Sequence, residues 1–319
     1  MSSKLLLAAK IMLSIFFFYI LFQIVDIQSS WNELKKITIG MFALCIALML
    51  VQVLVSVIRW KIVLDGLGEY LHFRHLCNVM YMSSFFNLIM PGTVGGDAVR
   101  MWQTNKKGVH ISKAMNSVLI ERIATLFGLI LLVVITQPFL INRIGHVPGE
   151  WIFPSLIAIG SLSIGTLLWF DKIPMGKYQH LKIVRGLHIL AFDTRMIFLN
   201  FSYSFSLLFF ALFGQIIFSL IVYVLAVSLD INITILDCMV LVPPAILIMT
   251  LPVSIAGWGA RELVMVTTFA YISVPSEQSL ALSILFGLVV LCSQLPAGFL
   301  WLLRLRDNSV KKEGISDSK

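Results

Sequence analysis

Apolar residues run along this chain in long, nearly uninterrupted blocks, and polar residues gather in the short gaps between them. A helix needs about 20 mostly apolar residues to cross a hydrocarbon core. Residues 5–25, 37–58, 114–136, 152–170, 203–227 and 279–303 each supply such a block and predict six spans. Two further blocks, 76–90 and 237–251, are shorter and end in proline and glycine, which predicts re-entrant or broken helices. Between 171 and 195, basic residues mix with Ile, Leu, Val and Phe at loosely helical spacing, as in a helix lying on a membrane surface. The pattern predicts an all-α polytopic membrane protein with about six spanning helices plus two hairpins.

Composition sharpens this, because 59% hydrophobic against 13% charged residues is far from the mix of soluble domains. The first block is longer than the apolar core of a signal peptide, and "DIQSSWN" has no small-x-small cleavage site, so it is expected to be retained. Four cysteines and six histidines fall singly, without metal-ligand spacing, so no metal or cofactor is expected.

Charge then sets orientation. Lys and Arg in short loops bias those loops to the cytoplasm. With the N-terminus inside, nineteen of the twenty-four fall on the cytoplasmic side, Arg59 and Arg100 among them. Lys35, Lys36, Arg143 and Arg261 fall opposite, and Arg122 lies within a span. Both termini are expected in the cytoplasm, with the protein integral to the inner membrane. The net charge of +8 reads as topology and attraction to anionic lipid, not as nucleic-acid binding.

The chain also repeats itself. "PGTVGGDAVR", from Pro91 to Arg100, aligns with "PVSIAGWGAR", from Pro252 to Arg261, and "LFGLIL" at Leu126 aligns with "LFGLVV" at Leu285. The two offsets, 161 and 159, nearly coincide. Each half reads as span, span, hairpin, span; three crossings per half would turn the second copy upside down. Inverted repeats with broken helices are a transporter architecture. We expect one transmembrane domain over 1–305. Its halves lie at about 5–136 and 152–303, with a basic cytoplasmic connector at 171–200 and a disordered tail at 306–319.

The hairpin residues suit broken helices. Pro91 and Pro252 lack the N–H that a helix needs, while Gly92, Gly95, Gly96, Gly257 and Gly259 permit reversed dihedrals and close backbone approach. Asp97 is placed to cap a new helix, with Arg100 one turn later. Exposed amides backed by an arginine suit a phosphate. Glu121 and Arg122 lie within the first turns of an apolar span, and Glu262 follows Arg261 directly. Ionised residues there must face protein, water or one another. Arg100, Arg261, Asp97, Glu121, Arg122 and Glu262 are therefore the expected substrate-binding residues.

"NLIMPGTVGGDAVR", "ERIATLFG" and "LPVSIAGWGARE" together resemble the signature stretches of the lysylphosphatidylglycerol synthase transmembrane-region family, also called flippase-like proteins. The resemblance covers about residues 5–305. In two-domain members, this region is joined to a soluble aminoacyltransferase and is implicated in moving aminoacylated phosphatidylglycerol between leaflets. No synthase domain follows Leu305 here, so lysyl transfer is not expected, and a separate lipid-modifying enzyme is the implied partner.

These readings converge on a translocase for a phospholipid or a polyprenyl-phosphate-linked lipid. The alternatives are a membrane component of lipid-linked glycan synthesis, which the short outer connections disfavour, and a scaffold, which leaves the paired charged hairpins unexplained. "GTVGGD" is not read as a nucleotide loop, since no strand precedes it and no Lys-Ser or Lys-Thr follows.

Overall fold

The structure is a computed structural model that describes residue 30 and residues 33–89, 94–146, 149–170, 182–250 and 257–316. Among these residues there are ten helices and no strand. They are α1 (Ile39–Gly66), α2 (Phe73–Ile89), α3 (Val94–Asn105), α4 (Ile111–Ile144), α5 (Ile152–Phe170), α6 (Lys182–Phe198), α7 (Phe201–Ser228), α8 (Ile235–Thr250), α9 (Ala260–Ala270) and α10 (Ser276–Ser316). Lipid offers the backbone no hydrogen-bond partners, so an apolar chain crossing it satisfies each amide within a helix.

Among the described residues, five helices are long and apolar enough to cross a membrane: α1, α4, α5, α7 and the Ser276–Phe299 part of α10. They match five of the six expected spans; the first, 5–25, lies outside the described residues. The short blocks at 76–90 and 237–251 form α2 and α8, of 17 and 16 residues. At 1.5 Å per residue these reach only about 25 Å, less than a hydrocarbon core.

Helix starts follow local chemistry. Thr38 Oγ1 accepts from the Met41 amide at 3.4 Å to open α1, and Asn200 Oδ1 accepts from the Ser202 amide at 3.1 Å to open α7. Asp237, in the first turn of α8, accepts from the Thr234 amide at 2.8 Å and from Arg143 Nη1 at 2.6 Å, joining the end of α4 to the start of α8.

Tight crossings fix the centre of the bundle. A Cβ on Gly128 would lie 2.8 Å from Ala211 Cβ, so α4 and α7 meet almost backbone to backbone. The largest core cluster includes Cys45, Leu129, Ile221, Leu225, Phe269 and Phe286. Outward faces are apolar as well: Phe201, Phe205, Phe209 and Phe213 are exposed at successive turns of α7 with stacked rings, a surface suited to acyl chains.

The packing pairs come in matching sets. In the N-terminal part α2 packs on α1 and α3, and α3 on α4; in the C-terminal part α8 packs on α7 and α9, and α9 on α10. Across the bundle α1 lies along α7, α2 against α10 and α8 against α4.

One expectation about the hairpin glycines changes. Gly95 and Gly96 are helical residues in the first turn of α3, not the reversed residues of a break. At Gly96 the smallness serves packing: a Cβ there would collide with the Ser83 carbonyl of α2. Gly257 and Gly259 do adopt positive φ, 82° and 84°, immediately before α9. Pro91, Gly92 and Pro252 lie outside the described residues. Beyond 305, where a tail is expected to begin, α10 runs on as a helix to Ser316; extending a helix already formed avoids the cost of nucleation.

The basic connector contains α6, and residues 171–181 lie outside the described residues. Ala191, Thr194 and Ile197 are buried while Leu187, Phe192 and Met196 are exposed, so α6 docks along one stripe. Asn116 of α4 donates to Asp193 Oδ2 at 2.6 Å. Burial pushes the Asp193 carboxyl up, against the opposing pull of Asn116 and Lys113.

Candidate functional site

The expected site residues divide into two groups. Asp97 and Arg100 of α3 meet Glu121 and Arg122 of α4, whereas Arg261 and Glu262 of α9 form a separate pair.

In the first group Glu121 is the hub. Its Oε2 accepts from Arg100 Nη1 at 3.1 Å, and its Oε1 accepts from Arg59 Nε at 3.0 Å and from Thr125 Oγ1 at 3.0 Å. Arg59, Arg100 and Glu121 are at least 96% buried. Asp97 does not cap α3: it takes a two-pronged contact from Arg122, Nε to Oδ2 at 3.1 Å and Nη2 to Oδ1 at 3.0 Å. Three guanidinium groups thus face two carboxylates, leaving one positive charge uncompensated.

Neighbouring side chains hold this cluster in place. The Arg100 guanidinium lies 4.5 Å from the centre of the Trp60 ring, and Trp60 is anchored by its indole N–H to Ser117 Oγ at 3.1 Å. The Gly96 amide, one of the helix-start donors with no intrahelical acceptor, is taken by Asn87 Oδ1 at 2.9 Å, which ties α3 to α2.

The cluster opens on a cavity of about 220 Å³ bounded by α1, α2, α3, α4, α7, α8 and α10. Arg59, Asp97, Arg100, Glu121 and Arg122 all line it. Arg59 Nη1 and Arg100 Nε and Nη2 are buried with no protein acceptor. Such donors are costly to bury unpaired, about 1–3 kcal/mol each, and an oxyanion satisfies them with charge-assisted bonds. Among the described residues, no three His, Cys, Asp or Glu side chains converge to hold a metal ion.

Arg261 sits differently. It is almost wholly buried, donates to Ser283 Oγ at 3.2 Å, pairs with Glu262 Oε1 and lies 4.8 Å from the Trp258 ring centre. Glu262 also reaches back to the Gly259 amide at 2.6 Å, which stabilises the start of α9. Neither residue lines the cavity; Phe286 lies between, on the cavity wall and 5.9 Å from the Arg261 guanidinium.

Sequence reasoning counted Arg59 as a cytoplasmic charge, yet it is buried in the site. The signal was present as a polar stripe: Gln52, Ser56 and Arg59, at i, i+4 and i+7, share one face of the apolar helix α1. Gln215 of α7 was likewise missed and also lines the cavity.

Comparison with known proteins bears on this geometry. The "UPF0104 membrane protein" of Archaeoglobus fulgidus is 29% identical over 116 residues, 35% of this chain and 34% of that protein. The match thus spans about a third of that relative's length. The family described as "Lysylphosphatidylglycerol synthase TM region" matches residues 7–298. A match over nearly the whole chain makes this protein a member of the lysylphosphatidylglycerol synthase TM region family.

Proposed function

We propose that the protein is a lipid translocase that takes a phosphate-bearing headgroup of a lipid or lipid-linked precursor into the α1–α4 cavity and delivers it to the opposite leaflet. The observation that carries this reading is that Arg59 and Arg100, which line a cavity bearing one uncompensated positive charge, keep guanidinium nitrogens with no protein acceptor. At about 220 Å³ the cavity is smaller than the roughly 300–1,000 Å³ of ligand pockets, which suits a headgroup whose acyl chains stay in the bilayer. The family supports a membrane role related to lipid.

The paired packing supports an inverted duplication within one transmembrane domain. Exchanging α1 with α7, α2 with α8, α3 with α9 and α4 with α10 maps each pair of packed helices named above onto another such pair. In this reading α2–α3 and α8–α9 are the two re-entrant hairpins, and Arg261 is the second half-site, closed while the Arg100 side is open. Alternating access would exchange the two.

Transport is tested in liposomes with a fluorescent anionic phospholipid and an external quencher. The intact protein is expected to expose label from the inner leaflet faster than protein-free liposomes, and Arg59→Gln to slow this about tenfold, the scale of one charge-assisted hydrogen bond. No lipid movement above the protein-free rate would overturn the translocase reading.

The charge distribution supports both termini in the cytoplasm of a cell whose inner membrane holds the protein. Lys107 and Asn142 flank or end the 34-residue α4 and should lie on opposite sides. Cysteines placed there, in a background without the native four, are expected to react with an impermeant reagent from the inside and the outside respectively. Labelling of both from one side would refute the orientation.

A further inference from the structure

A second polar subsite adjoins the guanidinium cluster. Gln52 of α1 and Gln215 of α7 are both more than nine-tenths buried and both line the cavity. Gln52 Oε1 and both ends of the Gln215 amide have no protein partner. The two subsites meet over Gly214 of α7. A Cβ there would collide with Arg59 Nη1 at 2.9 Å and press on the two ends of the Gln52 amide at 3.0 and 3.1 Å, so the missing side chain is what lets cation and amide pack side by side against α7.

The chemistry of these atoms limits what can occupy the cavity beside them. A phosphate oxygen only accepts and leaves the two amide oxygens unmet; an ammonium only donates and leaves Gln215 Nε2 unmet. A hydroxyl donates and accepts, so it answers both. An ammonium would also stand beside Arg59, and the carboxylates that could offset it, Asp97 and Glu121, are already held by arginines. Like charges in so enclosed a place repel strongly.

We propose that Gln52 and Gln215 read uncharged hydroxyl groups next to the phosphate, so that the headgroup is a polyol phosphate, glycerol or sugar, and not an amine-bearing one. This rests on reading the cavity as the headgroup site, and it names the class of substrate that site selects. A site built to hydrogen-bond a hydroxyl discriminates sharply against an analogue lacking it.

The test measures binding separately from transport. Purified full-length protein in detergent is titrated with short-chain phosphatidylglycerol, a short-chain prenyl phosphoglucose, phosphatidic acid and phosphatidylethanolamine. At least one of the two polyol lipids is expected to bind about tenfold more tightly than phosphatidic acid, with phosphatidylethanolamine weakest; the tighter of the two identifies glycerol or sugar as the source. Gln52→Met with Gln215→Met, which conserves volume, should bring the polyol lipid down to phosphatidic acid while leaving phosphatidic acid within about twofold. Gln215→Met alone should act in the same direction and serves if the double variant does not fold. Equal binding of phosphatidylethanolamine and the polyol lipids, or an equal loss for phosphatidic acid in the variants, overturns the proposal. The expected binding pattern without movement in liposomes would overturn the translocase reading and keep this subsite; no binding of any lipid would overturn both.

Discussion

Replacing Glu121 by alanine is expected to destabilise the folded chain by about 3–5 kcal/mol, the range for removing one partner of a buried ion pair. Glu121 is the carboxylate that Arg59 and Arg100 share, and all three side chains are at most 5% exposed. Its loss leaves two guanidinium groups facing each other across the site, with Asp97 their nearest remaining counter-charge, 3.6 Å from Arg100 Nη1 and already forked onto Arg122. The uncompensated charge rises from one to two. The measurement is equilibrium unfolding of the purified protein in mixed detergent, read by intrinsic fluorescence.

Two controls separate charge from packing. Glu121→Gln keeps the shape and can still accept from Arg59, so it should cost less than alanine while retaining the charge imbalance. Arg59→Met combined with Glu121→Leu should be more stable than the sum of the single changes predicts, because an apolar pair of similar volume replaces a buried ionic one. A Glu121→Ala protein within about 1 kcal/mol of the parent would show that the cluster is solvated enough to tolerate its own imbalance, against the burial of its side chains.

These interactions explain how far the sequence could be read. Spans were legible because crossing lipid demands a run of apolar residues that any register of the helix must contain. Glu121 and Arg122 were legible as inward-facing because ionised groups inside such a run must turn away from lipid, and both line the cavity. Arg59 was not, because an arginine at the end of a span is explained equally well by the cytoplasmic bias of basic residues. Only its contact with Glu121, 62 residues later, distinguishes the two. Arg100 and Arg261 stand at matching positions of two similar stretches but differ in surroundings that local pattern does not encode. Ser283 and Gly287 of α10 enclose Arg261, while Arg100 lines the cavity and its Nε and Nη2 have no protein acceptor. Glycine is equally ambiguous: at Gly257 and Gly259 it turns the chain, and at Gly96 it admits a neighbouring carbonyl inside a regular helix.

That difference between the two arginines yields the second large effect. Arg100→Ala is expected to weaken binding of a phosphate headgroup and to slow its translocation by about 100-fold, since two charge-assisted hydrogen bonds are lost and every 1.4 kcal/mol is tenfold. The fold should tolerate this change better than Glu121→Ala, because Glu121 keeps Arg59 and Asp97 keeps Arg122. Arg100→Lys should recover the charge but not the planar fork or its stacking on Trp60, and so restore about a tenth of the activity. Arg261→Ala should instead leave headgroup binding to the cavity within about twofold, since Arg261 does not line it, while slowing translocation if the second hairpin must receive the same phosphate. Binding by the detergent-purified protein and movement in liposomes, measured on the same variants, separate these outcomes. Equal loss of binding in Arg100→Ala and Arg261→Ala would mean that both arginines hold one site together, and the division into an open and a closed half-site would fall.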